Sequence, residues 1–483
     1  MIILFKLIFS ALFTLYSVKW IYLKILKIAK IKDIVDNPNV RKLQKTPMPV
    51  LGGLAVFFGL LMGLLLFSAL NFGKNSISSP LIIGAGILLF FGAMDDILNL
   101  TPKSRFIIEI VVLLGMVFGR GMCIDSLYGL WGIYDFSWWI AVPLTIFAGV
   151  GIINAYNMID GVNGLSSGIC ICCSFFYAIF FLNRFDYSDC ALSVCFGSAL
   201  IPFFLHNVFG NRSRMFIGDS GTMVMGLFVT WYSIQFLSSS NHGYLISDSM
   251  LTPTVGVVAF VLSIAAVPVA DALRVMIFRM INGKSPFVGD KTHLHHIFIK
   301  LGFSHFFTTI SEILINVIII LIWYASYKLG ASIDMQLYIT ILASIVFVWG
   351  TYLFISLHSR KKSKFYDVLN KLSSCTHFGH KKWWLRYQRY LDRHAFEDYR
   401  LIIVNRYNKS LDELTKIECF ESSIVNYLQG RNSLKLSELR DEGLIEDEYF
   451  DIVIESLVKK NILQCTQTDK NGEIVKIGIG SIL

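Results

Sequence analysis

The sequence predicts an all-α polytopic membrane protein of about eleven transmembrane helices, N-terminus outside, followed by a small cytoplasmic α+β domain at the C-terminal end. Three observations lead there. Only 16% of the 483 residues are charged and 54% are hydrophobic, whereas soluble domains run near 25% charged. The charge is also unevenly placed: residues 1–357 hold 38 of the 77 charged residues, and residues 358–483 hold the other 39. Finally, the first part breaks into apolar runs of about the 20 residues that a spanning helix needs. An ordinary cytosolic enzyme and a disordered chain are excluded.

The eleven runs fall at roughly 1–23, 50–71, 79–98, 105–122, 136–153, 164–183, 188–208, 221–239, 253–274, 307–328 and 335–357. The first holds Lys6 and lacks a small-x-small cleavage site, so it reads as an anchor rather than a signal peptide. Alternating the connections puts 24–49, 99–104, 154–163, 209–220, 275–306 and everything after 357 on one side. That side holds Lys24, Lys27, Lys30, Lys32, Arg41, Lys42, Lys45, Lys103, Arg212, Arg214, Arg279, Lys284, Lys291 and Lys300. The opposite loops carry little beyond Lys74, Arg120, Arg184 and Lys328. The positive-inside rule makes the basic side cytoplasmic. It also accounts for the net +9 without nucleic acid, for which no recognition motif is present. Nine cysteines, an odd number, three of them (Cys170, Cys172 and Cys173) inside an apolar span, imply no disulfide framework.

A charge at the centre of a spanning helix costs about 2.5–3.5 kcal/mol on insertion scales, so polar residues at span ends are informative. In chain order they form five clusters, all on the predicted cytoplasmic side. Lys45-Thr-Pro-Met-Pro-Val-Leu-Gly52-Gly53 places a lysine before the second span and a glycine pair suited to close backbone packing. Gly92-Ala-Met-Asp95-Asp96 ends the third span with two carboxylates that resist ionising together unless a cation is near, and Lys103 and Arg105 follow. Asn154, Asn157 and Asp160 fall along one side of a helix before Gly161, Asn163 and Gly164. Their oxygens are hard ligands, suited to Mg²⁺ or Mn²⁺ rather than Zn²⁺.

The fourth cluster, Asn211-Arg-Ser-Arg-Met-Phe216-Ile-Gly218-Asp219-Ser220-Gly221, opens the eighth span and also carries an N-cap signature at Asp219. The fifth, Ser285 to His296, gathers Lys291, His293, His295 and His296. Zinc is one reading of it, although HExxH and a cysteine partner are lacking. Contact with phosphate oxygens is the other. Asp271 and Arg274, three apart in the ninth span, read as a structural ion pair.

The water-solvated part divides again. Residues 358–409 form a basic juxtamembrane linker with 13 Lys/Arg against 4 Asp/Glu, and Trp383, Trp384, Tyr387 and Tyr390 suit a surface of anionic lipid. Residues 410–483 turn acidic. Helical periodicity at 434–444 and 446–460 followed by a hairpin at 466–479 suggests a small winged-helix-like domain that docks a partner protein or regulates.

Hard-ligand clusters plus basic residues at a membrane surface, without a Walker A loop, GxSxG or kinase motifs, point to Mg²⁺-dependent phosphoryl-type transfer between a soluble nucleotide and a lipid phosphate. In the order KTPMPVLGG, GAMDDILNL, NAYNMIDGVNGLSSG, RMFIGDSGTMVMG and GKSPFVGDKTHLHH, the chain resembles the polyprenyl-phosphate N-acetylhexosamine-1-phosphate transferases, glycosyltransferase family 4. Within them it looks like the branch that begins O-antigen, enterobacterial common antigen or teichoic acid synthesis on undecaprenyl phosphate. The resemblance covers residues 1–357 and makes them the transferase domain.

The resemblance implies a bacterial cytoplasmic-membrane enzyme with its active site on the cytoplasmic face, joining a UDP-N-acetylhexosamine to undecaprenyl phosphate and releasing UMP. It implies Asn157 and Asp219 as Mg²⁺ ligands, and Phe216 with Asp160 and Asn163 at the nucleotide. It implies Lys291, His293, His295 and His296 at the diphosphate, Lys45 and Lys103 at the lipid phosphate, and Asp95 and Asp96 as the catalytic pair. A lipid phosphatase or diphosphatase would share the Mg²⁺ clusters. A transporter would be expected to carry midplane charges or broken helices in paired repeats. The sequence leaves the hexosamine, the downstream glycan and a homodimer open.

Overall fold

The computed structural model describes residues 2–36, 47–71, 78–98, 100–239, 255–286, 291–361, 364–393, 395 and parts of 420–479. Helix α1 runs Ile2–Ile31 and carries a short pairing of β1 (Val35–Asp36) with β2 (Met48–Pro49) after it. Then come α2 (Gly52–Leu70), α3 (Ser79–Leu98), α4 (Pro102–Arg120) and the small antiparallel pair β3 (Ser126–Leu130) and β4 (Ile133–Asp135). Next follow α5 (Trp138–Met158), α6 (Leu165–Asn183), α7 (Tyr187–Phe209), α8 (Gly218–Leu237), α9 (Val257–Ile264) and α10 (Ala266–Ile281). Beyond these lie α11 (Leu294–Lys300), α12 (His305–Lys328), and α13 (Ile333–Ser344) continuing through a π-helical stretch, Ile345–Gly350, into α14 (Thr351–Lys361). The first compact unit runs on past residue 357 to Ala395 and includes α15 (Lys364–Ser374) and α16 (Lys382–Asp392).

Among the described residues, eight helices are long and apolar enough to cross a membrane, and nine if the bent pair α9–α10 is one span. All eleven apolar runs are helical, but two lie outside that set. Helix α4 carries Lys103, Arg105, Glu109 and Arg120. Helix α8 is buried in protein at every position from Ser220 to Leu237, packed by α2, α3, α5 and α6, so it faces little lipid and tolerates small and polar side chains. Lys6, inside α1, donates to Leu70 O at 2.6 Å and Asn71 Oδ1 at 3.0 Å, placing its charge on the C-terminal carbonyls of α2.

The 80° bend between α9 and α10 has a local cause. Pro268 has no N–H to give the carbonyl of Ile264, four residues earlier. Asn316 on α12 repairs the break: its Nδ2 donates to Ile264 O at 2.9 Å and its Oδ1 accepts from Val267 N–H at 3.0 Å. In an apolar surrounding such a repair is required, because an unpaired backbone group costs several kcal/mol.

A second compact unit takes in 396–483 together with Lys30–Asp33. It contains β5 (Leu434–Lys435), α17 (Leu436–Asp441), α18 (Asp447–Lys459), β6 (Leu463–Thr468) and β7 (Ile474–Ile479). The three strands form an antiparallel sheet in the order β5-β7-β6, and Ile424, Leu439, Phe450, Val453 and Leu457 make its core.

The N-terminal ends of α2 and α8 and the C-terminal half of α3 meet at backbone distance. A Cβ on Gly53 would lie 2.5 Å from Gly221 N, and one on Gly92 would collide with the backbone of Ser220. Gly92→Ala is therefore expected to lower stability by about 1–3 kcal/mol through overpacking. Gly86→Ala on the same helix has nothing within 4 Å of the added carbon and serves as the control. Thermal unfolding in detergent reads both; equal melting temperatures would show that the helices do not pack this closely.

Candidate active site

The site is built on the start of α8. Gly218 adopts a left-handed conformation, φ +75°, and a side chain there would run into the Asp96 carboxylate. That carboxylate reaches across from α3: Oδ1 accepts from Asp219 N–H at 2.8 Å and Oδ2 from Ser220 N–H at 3.3 Å. Asp96, not Asp219, therefore satisfies the first amides of α8, which corrects the N-cap reading of Asp219. The approach segments are tied by backbone bonds. Phe216 N–H donates to Pro49 O at 2.8 Å, Gly52 N–H to Phe216 O at 2.9 Å and Gly53 N–H to Ile217 O at 2.8 Å.

With its backbone spoken for, Asp219 turns its side chain to Arg105 on the first turns of α4, at 2.7 Å. The same guanidinium pairs with Asp95, which is buried and also accepts from Leu100 N–H at 2.6 Å. Arg105 thus joins the second and fourth sequence clusters. Asn157, at the end of α5, lies beside Asp219, and its Oδ1 accepts from Thr222 Oγ1 at 3.1 Å. Asn154, one turn earlier, is drawn away: its Nδ2 donates to Glu109 on α4 at 2.7 Å and to Val150 O at 2.9 Å.

After α5 the chain turns beside the same centre. Asp160 accepts from Ser166 Oγ at 2.5 Å. Burial pushes its carboxyl up to about 7; the Ser166 bond works against that and the Asp219 charge adds to it. The His295 ring packs on Gly161, whose added Cβ would lie 2.5 Å from Nε2. Burial, with His296 and His293 beside it, drives the His295 pKa well below the usual imidazole value. Asn163 N–H donates to His305 Nδ1 at 3.2 Å and its carbonyl accepts from Thr309 Oγ1 at 2.9 Å.

The histidine segment is held by the Asp271–Arg274 pair, which is present at 2.6 Å. Asp271 binds His293 Nδ1 at 2.8 Å and accepts from Leu294 N–H at 3.1 Å, while Arg274 donates to Thr292 O at 2.7 Å. Ring centroids of His295 and His296 lie 4.3 Å apart. Lys291 and Lys103 are exposed, Phe216 is half-buried, and Lys45 lies outside the described residues.

The structure therefore gathers Asp95, Asp96, Asn157 and Asp219 in one centre, with Asp160 and the Gly161–His295 contact adjoining it. Ser166, Thr222 and His305 were missed by sequence reasoning, and the bond from Arg105 to Asp219 was not foreseen. Only Arg105 left a signal, as a cation one short loop after the aspartate pair. Among the described residues no group of three or more His, Cys, Asp or Glu side chains is placed to hold a metal ion. Two carboxylates of the centre, Asp95 and Asp219, converge on the Arg105 cation, and Asn157 lies beside Asp219; carboxylate and amide oxygens are the donors a hard divalent ion takes when a phosphate completes its shell.

Residues 78–237 match the model of "Glycosyl transferase family 4". The chain is 32% identical over 288 residues to the undecaprenyl-phosphate alpha-N-acetylglucosaminyl 1-phosphate transferase of Escherichia coli K12, covering 58% of this chain and 72% of that protein. It is 29% identical to the Salmonella typhi protein of the same name, over 61% and 77% of the two chains. It is 30% identical to a probable undecaprenyl-phosphate N-acetylglucosaminyl 1-phosphate transferase of Bacillus subtilis 168, over 56% and 71%.

Asp160 yields a pH test. Its folded pKa, about 7, lies above the ordinary carboxylate value near 4. Between those values the folded state holds the proton that the unfolded state has lost, so its contribution to stability falls as pH rises from about 4 to 7. Without ligands, Asp160→Asn is expected to gain melting temperature relative to wild type over that window. Parallel curves from pH 4 to 8 would refute the raised pKa.

Proposed function

The chain belongs to glycosyl transferase family 4, and on that premise we propose that it transfers N-acetylglucosamine 1-phosphate from UDP-GlcNAc to undecaprenyl phosphate, releasing UMP. The observation that carries the reading is the convergence of Asp95 and Asp219 on Arg105, beside Asn157, at the start of a buried helix. The relatives supply GlcNAc and undecaprenyl phosphate through their names.

A multi-pass membrane protein with this site suits a lipid acceptor reached from the bilayer and a soluble donor reached from water. We assign the site to the cytoplasmic face of the bacterial inner membrane, with eleven spans and the N-terminus outside. The lysine and arginine excess on the loops that carry the clusters supports this.

In the reaction, a lipid phosphate oxygen forms a bond to the sugar-bearing phosphorus of the donor. The bond from that phosphorus to the oxygen bridging to UMP breaks, and UMP leaves with the electron pair. A phosphate monoester has a second pKa near 6, so the acceptor is mostly dianionic at pH 7 and an obligatory base is not required. Asp95, buried against Arg105, orients the acceptor or takes its residual proton. Arg105 and Lys103 offset its charge, with Lys45 before α2.

Asp219 and Asn157 would hold Mg²⁺, which when bound supplies charge neutralisation across the diphosphate. Phe216, Asp160 and Asn163 take the uridine end. His295 is neutral and buried and His293 is bound to Asp271, so both shape the loop, whereas Lys291 and His296 meet the diphosphate.

An exchange assay tests this: radiolabelled UMP should enter UDP-GlcNAc only when undecaprenyl phosphate and Mg²⁺ are both present. Exchange failing in a folded sample would sink the proposal, and release of free phosphate would make the protein a phosphatase. Asp219→Ala and Asp95→Ala should each cost on the order of a hundredfold or more in turnover, but only Asp219→Ala should abolish metal-dependent donor binding. Equal loss would count against the division of roles. A trapped phospho-sugar enzyme without lipid would replace direct attack by a covalent route.

A further inference from the structure

Residues 364–395 lie outside the stretch that the family model matches, yet α16 packs on the loop that leads into the site. Asp392 is buried, 6% exposed, and its carboxylate accepts hydrogen bonds from the loop between α7 and α8. Ser213 Oγ donates to its Oδ1 at 2.7 Å and Ser213 N–H at 2.9 Å, and Asn211 N–H reaches the two oxygens at 3.2 and 3.3 Å. Trp384, two turns earlier, packs its ring 4.6 Å from that of Phe209 at the end of α7 and 5.8 Å from that of Phe306. Tyr22 donates to Ser213 O at 2.8 Å and Asn207 to Met215 O at 2.9 Å, so the loop is drawn taut from both sides. It then runs directly into Phe216 and Asp219.

The same segment holds a second strip. Ser304 N–H donates to Thr376 Oγ1 at 3.1 Å and Ser304 Oγ to Thr376 O at 2.8 Å. Ser304 caps α12, and its neighbour His305 receives the Asn163 N–H. Two contacts from 364–395 therefore fix the backbones that carry Phe216 and Asn163.

We propose that residues 364–395 clamp the donor end of the site and that Asp392 is a positioning residue, setting the 210–217 loop so that Phe216 meets the nucleoside. This rests on the proposed role of Phe216. The loop has no regular secondary structure of its own, so partners outside it set its conformation, Asp392 among them. A carboxylate taking several N–H and O–H bonds is the strong form of such an anchor.

The test uses the full-length protein in detergent. Asp392→Ala is expected to raise the KM for UDP-GlcNAc about tenfold, with kcat and the KM for undecaprenyl phosphate within about twofold, and Asp392→Asn to fall between. Hydrogen exchange at the Phe216 amide, whose own acceptor Pro49 O is untouched, should accelerate about tenfold in Asp392→Ala while mid-α8 amides hold. An unchanged donor KM would overturn the proposal. So would a joint fall of kcat and both affinities with a lowered melting temperature and no selective exchange, since that is merely structural. If Asp392→Ala does not fold, Ser213→Ala removes one bond and should still raise the donor KM about threefold. Should wild type show no transfer, the functional reading fails and the exchange rate at Phe216 alone decides the clamp.

Discussion

The first amides of α8 find their acceptor on another helix, in the Asp96 carboxylate of α3. Much of the site follows from that bond. It requires α3 to approach α8 at backbone distance, which Gly92 permits, and it requires Gly218 to take a left-handed conformation with no side chain in the path of the carboxylate. It places Asp95, the next residue along α3, and frees the Asp219 side chain from capping its own helix. Two further carboxylates are then brought together, and like charges so placed resist ionising. Arg105 resolves the conflict by pairing with both.

The same demand, that buried polar groups find partners inside the protein, shapes the other wall. Pro268 breaks the ninth span, Asn316 repairs both ends of the break, and the second half is redirected by 80°. That half carries Asp271 and Arg274 to the loop they hold. An ion pair that looks purely structural in the sequence thus also fixes His293 and the start of α11, and through them the His295 ring on Gly161.

What was legible in the sequence is what a bilayer makes rare. Apolar runs and the few carboxylates, amides and histidines at their ends stand out because a charge in a span is costly. Asp95, Asp96, Asn157 and Asp219 could be singled out for that reason, and they do meet. Partnerships across the fold left no such mark. Asp96 and Ser220 are 124 residues apart, and Arg105 reads as one more basic loop residue until Asp219 is placed beside it. Helix α8 reads as an ordinary span, although its burial on all sides is why it can be rich in Gly, Ser and Thr. Residues 364–392 read as a lipid-facing basic segment because Trp384 and Asp392 have no periodic signature, only partners.

The capping of α8 also constrains where positive charge for a phosphate ligand must come from. A helix N-terminus is ordinarily a ready anion site, with its dipole and free amides directed at the ligand. Here Asp96 already occupies those amides and Asp219 adds a second negative charge in the same turn. An incoming diphosphate therefore meets carboxylates rather than N–H groups. Arg105 offsets them in the resting protein but is shared between Asp95 and Asp219, so one guanidinium serves two anions before any substrate arrives. The proposed reaction, with a diphosphate and a lipid phosphate bound together, would then call for cations beyond Arg105. Lys103 and Lys291, proposed above to face the phosphates, are exposed and carry single charges. Beside Arg105 the centre offers carboxylate and amide oxygens, on Asp219 and Asn157, and such oxygens beside a diphosphate are a hard divalent cation's donors. The case for a metal at this position thus rests on the electrostatics of a capped helix as well as on the types of residue present.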